Sequence, residues 1–163
     1  YAAAPAYPIF LRQGSGHIIA VSSIAGRRGV AGMSLYSATK AAQIGFIEGL
    51  RTEFLGTNLH ASLVYPVSIP TEFHTSMRRD FGHAVEGTGP RQTAAEVAAA
   101  IVDCIVSPQA EVYTYPRSWW IAVLSVVAPA RADRVMKKYA RTPRSRRRGS
   151  VPTARRTWSA TRR

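Results

Sequence analysis

Residues 17–40 read HIIAVSSIAGRRGVAGMSLYSATK, and the change of pattern within them decides the fold. His17–Val21 is a near-continuous apolar run with β-branched residues, bounded by Gly and Ser. Such a run suits a strand covered on both faces, as in a parallel sheet. Beyond the Gly-rich turn Gly26–Gly32 the apolar spacing becomes helical from about Ser34. A strand leading through a turn into a helix opens an α/β unit. Ser22 and Ser23 fall at the carboxyl end of its strand, where ligands bind in open α/β sheets.

The same stretch carries candidate chemistry. Tyr36 and Lys40 are four residues apart and so share one helical face. A lysine ammonium beside a phenol stabilises the phenolate and draws its pKa down from about 10. A serine hydroxyl close by can hold a substrate oxygen while the phenol exchanges a proton with it. Together these groups suit moving a proton on or off a carbinol or carbonyl oxygen. They include no carrier of electrons.

Working outward, Ala2–Gln13 reads as the last turns of a helix broken by Pro5 and Pro8. The helix after the turn extends from Ser34 to Leu55. Ala38, Ala42, Gly45 and Gly49 form a smooth stripe on it, and Ile44, Phe46, Ile47, Leu50 and Phe54 add apolar bulk. That composition predicts a helix largely covered, by the sheet and by a second subunit. A strand Ala61–Tyr65 follows and stops at Pro66. Val67–Pro90 reads as a loop with a short helical piece, of the kind that covers a site. Thr93, with Glu96 three residues on, caps a helix Ala94–Val106 that ends before Ser107-Pro108. Glu111–Tyr115 is a further strand, closed by Pro116. Cys104 sits in the apolar pattern of its helix as a small buried hydrophobe. The order predicts the α/β class, a parallel βαβαβ unit that makes half of a doubly wound sheet.

Charge divides the chain. Tyr1–Ala130 holds nine Lys or Arg against eight Asp or Glu, whereas the remainder holds thirteen against the single Asp133. The overall charge of +13 therefore belongs to the end of the chain. The expected organisation is a catalytic body over residues 1–130 and a basic, disordered tail over 131–163. Ser118–Val127, SWWIAVLSVV, is too short for a bilayer, which needs about 20 residues. It reads as a helix packed on the body or on a partner subunit. Trp119 and Trp120, with Arg131, Arg134, Lys137 and Lys138 after them, also fit a membrane-surface contact through 118–138. Apart from Tyr139 and Trp158 the tail has no interleaved aromatics, which argues against specific nucleic-acid recognition. The single cysteine excludes an internal disulfide framework and suits a reducing, cytoplasmic setting. The start at Tyr1, on an Ala/Pro-rich stretch without a charged n-region, reads as a chain entered midway rather than as a signal peptide.

GHIIAVSSIAG, the Tyr-x-x-x-Lys of YSATKAA and the segment PVSIPT after the next strand resemble the short-chain dehydrogenase/reductase family over roughly Arg12–Pro116. The resemblance implies a Rossmann-like doubly wound parallel sheet of which only the C-terminal half is present. It implies an NAD(P)-dependent oxidoreductase acting on a small alcohol or ketone, homo-oligomeric when full length, with NAD versus NADP left open. Tyr36 would be the general acid/base. Lys40 would lower the Tyr36 pKa and reach the nicotinamide ribose, and Ser23 rather than Ser22 would hold the substrate oxygen. Pro66, Val67, Ile69 and Thr71 would line the nicotinamide, Thr71 near its carboxamide. Val67 departs from the family's usual Gly, and a β-branched residue rarely takes positive φ, so the turn there must be rearranged. No G-x-G-x-x-G turn for a pyrophosphate is present: Gly26, Gly29 and Gly32 have the wrong spacing. Other chemistries fit less well. VSSIAG is not the G-x-S-x-G of a serine hydrolase elbow, and His17, His60, His74 and His83 show no metal-ligand spacing.

Overall fold

The computed structural model describes residues 3–70, 86–87 and 89–141. The chain begins with α1 (Ala3–Gln13), β1 (Gly16–Val21), a one-turn α2 (Ile24–Arg27), α3 (Ser34–Glu53) and β2 (Leu59–Tyr65). It continues with β3 (Glu86–Gly87), α4 (Ala94–Val106), β4 (Glu111–Tyr113), α5 (Trp119–Val127), α6 (Pro129–Tyr139) and β5 (Ala140–Arg141). β1, β2 and β4 form a parallel sheet in the order β1-β2-β4, and β3 pairs antiparallel with β5. The βαβαβ arrangement expected from the sequence is the one observed.

β2 is paired on both edges and explains its own composition. Leu63, Val64 and Tyr65 have no exposed surface, as a strand buried on both faces requires. Leu59, Ala61, Leu63 and Tyr65 alternate onto one face, where they meet Ile44, Ile47 and Phe54 from the α3 side. Tyr7 and Phe10 of α1 pack on the same cluster. The opposite face carries Ser62, whose hydroxyl donates to the Gln109 carbonyl and meets His17 Nε2 at 2.7 Å.

Several local expectations change. α1 is continuous through Pro8. Proline inside a helix removes one hydrogen bond and costs about 3 kcal/mol, and the packing of half-buried Tyr7 and Phe10 on the core opposes that cost. Gly14, at φ +69°, then ends α1 in the left-handed conformation that glycine takes without steric penalty. The Gly26–Gly32 turn begins with the helical turn α2. β4 is shorter than Glu111–Tyr115. α3 is less covered than its composition suggested: Ser37, Ile44 and Ile47 are buried, while Leu35 and Phe46 are exposed and the space beside Gly45 and Gly49 is open. One monomer covers a single stripe of a helix, whatever apolar residues lie elsewhere on it. Arg131, Arg134, Lys137 and Lys138, expected in a tail, lie on α6, because Ala132 and Met136 bury one face of that helix. Thr93 and Glu96 form the reciprocal capping box at α4, and Cys104 is buried. Most of the Val67–Pro90 loop and everything after Arg141 lie outside the described residues.

A polar cluster ties α2 to the sheet. Arg27 donates to Glu48 of α3 at 3.0 Å and pairs with Glu111 of β4, while its guanidinium lies 5.0 Å from the Tyr65 ring centroid. Tyr113 donates to Glu111 at 2.9 Å and stacks on Tyr65 with centroids 4.7 Å apart. Burial first, and the Glu111 carboxylate second, push the Tyr113 phenol up to about 12, so it stays protonated and keeps donating. The Tyr65 hydroxyl is buried with no hydrogen-bond partner among the described residues. On the other side of α2, a Cβ at Gly26 would meet the Lys40 carbonyl carbon and Ile44 Cδ1 at 2.9 Å. Only a glycine lets α2 lie this close to α3.

Two stability outcomes follow. Tyr65→Phe keeps the stacked ring and removes an unpaired buried hydroxyl, so urea unfolding should show stability unchanged or raised by up to about 1 kcal/mol. Gly26→Ala should lower stability by about 1–3 kcal/mol, as overpacking does, because two of the opposing atoms are the Lys40 backbone carbonyl.

Candidate functional site

At the carboxyl ends of β1 and β2 the two backbones stay hydrogen-bonded as they leave the sheet. Ser22 N–H still donates to the Val64 carbonyl at 2.9 Å, and Ile24 N–H to the Pro66 carbonyl at 3.3 Å. The two strand ends therefore leave together. Ser23 is the N-cap of α2, with extended backbone at φ −168°, and its Oγ accepts from Ala25 N–H at 3.2 Å. A capping hydroxyl spends its lone pair on the helix and keeps its hydrogen for another acceptor. Ser22, its neighbour, is buried, and its hydroxyl donates to the Lys40 carbonyl at 3.0 Å. The two serines thus have different occupations, with Ser22 joining strand to helix.

Tyr36 and Lys40 lie one turn apart near the start of α3. Lys40 Nζ donates to the Val21 carbonyl at 2.9 Å and to Gln43 Oε1 at 3.3 Å, and stands 5.8 Å from the Tyr36 ring centroid. Burial lowers the Lys40 pKa below the ordinary lysine value, since desolvation disfavours the ammonium. Its positive charge lies within reach of the phenol ring.

These groups open onto one cavity of about 750 Å³. Ser23, Tyr36, Lys40, Pro66, Val67 and Ile69 all line it. Of the residues singled out from the sequence, Thr71 lies outside the described residues. The segment after β2 passes Val67 without the left-handed turn: among the described residues only glycines have positive φ. Val67 N–H points instead at Gln92 Oε1, at 3.5 Å.

Gln92 was not foreseen. It is buried, its Nε2 donates to the Thr114 carbonyl at 2.8 Å, and its Oε1 accepts from Thr114 Oγ1 at 2.6 Å. Its N–H donates to the Ser68 carbonyl at 3.0 Å. One amide thereby fixes the Pro66–Ile69 segment to the end of β4. Just ahead of a helix cap, a glutamine reads as solvated polarity, so nothing local signals the role. The far wall of the cavity was not foreseen either. Tyr115, Trp120, Ile121 and Leu124 form it with Val135 and Met136. The apolar pattern of 118–127 announced burial but not against what.

The arrangement can hold an oxygen-bearing substrate at Ser23 and Tyr36 under an apolar wall, with a cation at its base. Residues 1–81 match the family model for short chain dehydrogenases. Over 101 residues the chain is 37% identical to an acetoacetyl-CoA reductase of an Acinetobacter species, covering 60% of this chain and 41% of that protein. Over 136 residues it is 29% identical to the ketoacyl reductase HetN of a Nostoc species, covering 80% of this chain and 46% of that one. A crystal structure of a short chain dehydrogenase from Burkholderia cenocepacia in complex with NADP superimposes with a TM-score of 0.63 at 25% identity. That superposition covers 81% of this chain and 52% of the other. The chain thus spans about half the length of the relatives it matches, or less. By its matching residues, its parallel sheet and these likenesses, the chain belongs to the short-chain dehydrogenase/reductase family.

Proposed function

We propose that the chain is the catalytic half of an NAD(P)-dependent oxidoreductase acting on the hydroxyl or carbonyl group of a small alcohol or ketone. The observation that carries this reading is the meeting of Ser23, Tyr36 and Lys40 on one cavity with Pro66, Val67 and Ile69. The cavity suits the nicotinamide half of a dinucleotide. It offers apolar side chains for a ring and the Lys40 ammonium for ribose hydroxyls. A nicotinamide bound there supplies or accepts the hydride. No G-x-G-x-x-G turn occurs in these 163 residues, so we assign the pyrophosphate contacts, and with them turnover, to the longer protein. The same reading takes the enzyme as cytoplasmic and homo-oligomeric, with residues 118–138 touching a membrane surface.

The roles follow from the chemistry of each group. The Ser23 hydroxyl, capping α2 with its oxygen, donates its hydrogen to the substrate oxygen. Tyr36 exchanges a proton with that same oxygen, as phenolate taking it from an alcohol and as phenol giving it to a ketone. Lys40 keeps its positive charge beside the phenol ring. Two of its three N–H donors go to Val21 and Gln43, which leaves a third for a ribose hydroxyl. Pro66, Val67 and Ile69 form the wall beside the nicotinamide, held by Gln92. Thr71, outside the described residues, would serve the carboxamide by the family resemblance.

In the full-length enzyme, Tyr36→Phe should lower kcat by about 10²–10⁴-fold, the usual worth of a positioned acid/base. Turnover retained in that variant would remove Tyr36 from the mechanism. Lys40→Ala takes the ammonium away from the phenol and from the ribose, so kcat for alcohol oxidation should fall. With Lys40 in place, its burial-lowered pKa means the ammonium is lost at a pH below the ordinary lysine value of 10.5. The rate should therefore fall again on the alkaline side before that pH, and in the Ala variant this fall should be absent. A pH series of kcat in both proteins checks both outcomes.

A further inference from the structure

α5 and α6 are joined through Ala128 alone, pack on one another, and each presents a different surface outward. At about 100° per residue, Trp119, Val123, Val126 and Val127 fall on one side of α5. All four are exposed, Val126 and Val127 by 83% and 78%. Trp120 borders this arc, stacks on Trp119 with centroids 4.2 Å apart, and is 58% exposed while also lining the cavity. α5 carries no charged residue. Its one hydroxyl, on Ser125, donates back to the Ile121 carbonyl at 2.6 Å. Nothing polar interrupts the face.

α6 behaves oppositely. Ala132 and Met136 face inward and are buried. Arg131, Arg134, Lys137 and Lys138 occupy an outward arc of roughly 120° and are all exposed. The helix's acidic residue, Asp133, pairs with Arg28, the C-cap of α2, and Arg28 also donates to the Pro129 carbonyl at 3.0 Å. Asp133 stays exposed, but Arg28 neutralises it, and the four cations of the arc are left as the helix's net charge.

An exposed aromatic and aliphatic face beside a purely basic arc complements a layer that is apolar within and anionic at its surface. We infer that α5 and α6 dock the protein on an anionic lipid bilayer. The Trp119–Val127 face enters the headgroup–acyl boundary and the α6 cations lie over lipid phosphates. Because Trp120 belongs to both surfaces, the cavity wall formed by α5 then stands at the lipid interface. The inference rests on the reading of 118–138 as membrane-contacting and is independent of the proton chemistry at Tyr36. Among the described residues no helix is long and apolar enough to cross a membrane, so the contact is one-sided.

Flotation of the 163-residue chain with vesicles tests this without any turnover. The chain should float with phosphatidylcholine vesicles containing one-third phosphatidylserine, and far less with phosphatidylcholine alone. The double variant Trp119→Ser/Val126→Ser alters two exposed side chains that do not line the cavity. Its far-UV circular dichroism should match the parent, and its partition onto anionic vesicles should fall about tenfold or more, since two apolar side chains lose their burial. Truncation after Arg141 should leave a measurable share of the binding. The inference is overturned if the double variant floats like the parent, or if truncation abolishes binding, since the arginines beyond 141 would then act alone. It is likewise overturned if the folded chain binds neither vesicle but self-associates through α5, as sedimentation would reveal. A failed turnover assay alongside successful flotation would count against the oxidoreductase reading only.

Discussion

Lys40 is fastened twice to the end of β1, and the rest of the site depends on that double attachment. Its carbonyl accepts from the Ser22 hydroxyl and its ammonium donates to the Val21 carbonyl. A helix joined to its strand by main chain and side chain at one residue can neither slide along the sheet nor rotate over it. Tyr36, one turn earlier, is therefore delivered to the strand end where Ser23 caps α2. Gly26 completes the constraint, since α2 reaches α3 only where no Cβ intervenes. The ammonium that would tune a phenol is thus also a structural strut, and its burial is the consequence of being one.

The sheet supplies the frame for this arrangement. β2, paired on both edges and wholly buried along Leu63–Tyr65, aligns the exits of β1 and β4 so that three segments converge. One leads to Ser23, one to the Pro66–Ile69 wall, and one from β4 through Gln92 back to that wall. The α5–α6 hairpin then closes the cavity from outside and turns an apolar face to its surroundings. The helix that walls the cavity is the helix that meets the proposed lipid surface, so chemistry and location share one element.

Legibility of the sequence followed the range of the interactions concerned. The strand at 17–21, the capping box at Thr93 and the helical pairing of Tyr36 with Lys40 rest on contacts within a few residues, and each was readable from spacing. Ser22 and Ser23 also differ as successive side chains at a strand end do, one buried against the Lys40 carbonyl and the other capping α2. Gln92 was illegible because its partners lie at Val67 and Thr114, more than 20 residues away on either side. The continuity of α1 through Pro8 was misread because a local penalty was outweighed by packing of Tyr7 and Phe10 on a core formed much later in the chain. The extent of α6 was missed for a similar reason. Four basic residues dominate its composition, whereas Ala132 and Met136, which hold it in place, are inconspicuous.

By itself, then, the sequence determined the class of fold, the parallel order of its strands and the three residues of its candidate chemistry. Periodicity and short spacings encode those directly. Tertiary structure alone decided that those three face a single cavity with Pro66, Val67 and Ile69, that Gln92 secures one wall and α5 another, and that α3 remains half uncovered. Those outcomes depend on which distant surfaces meet, and a chain carries no local mark of a partner 40 or 80 residues away. The basic residues around 131–138 show the difference most simply. As sequence they are charge without direction, and only the burial of Ala132 and Met136 gives that charge a side.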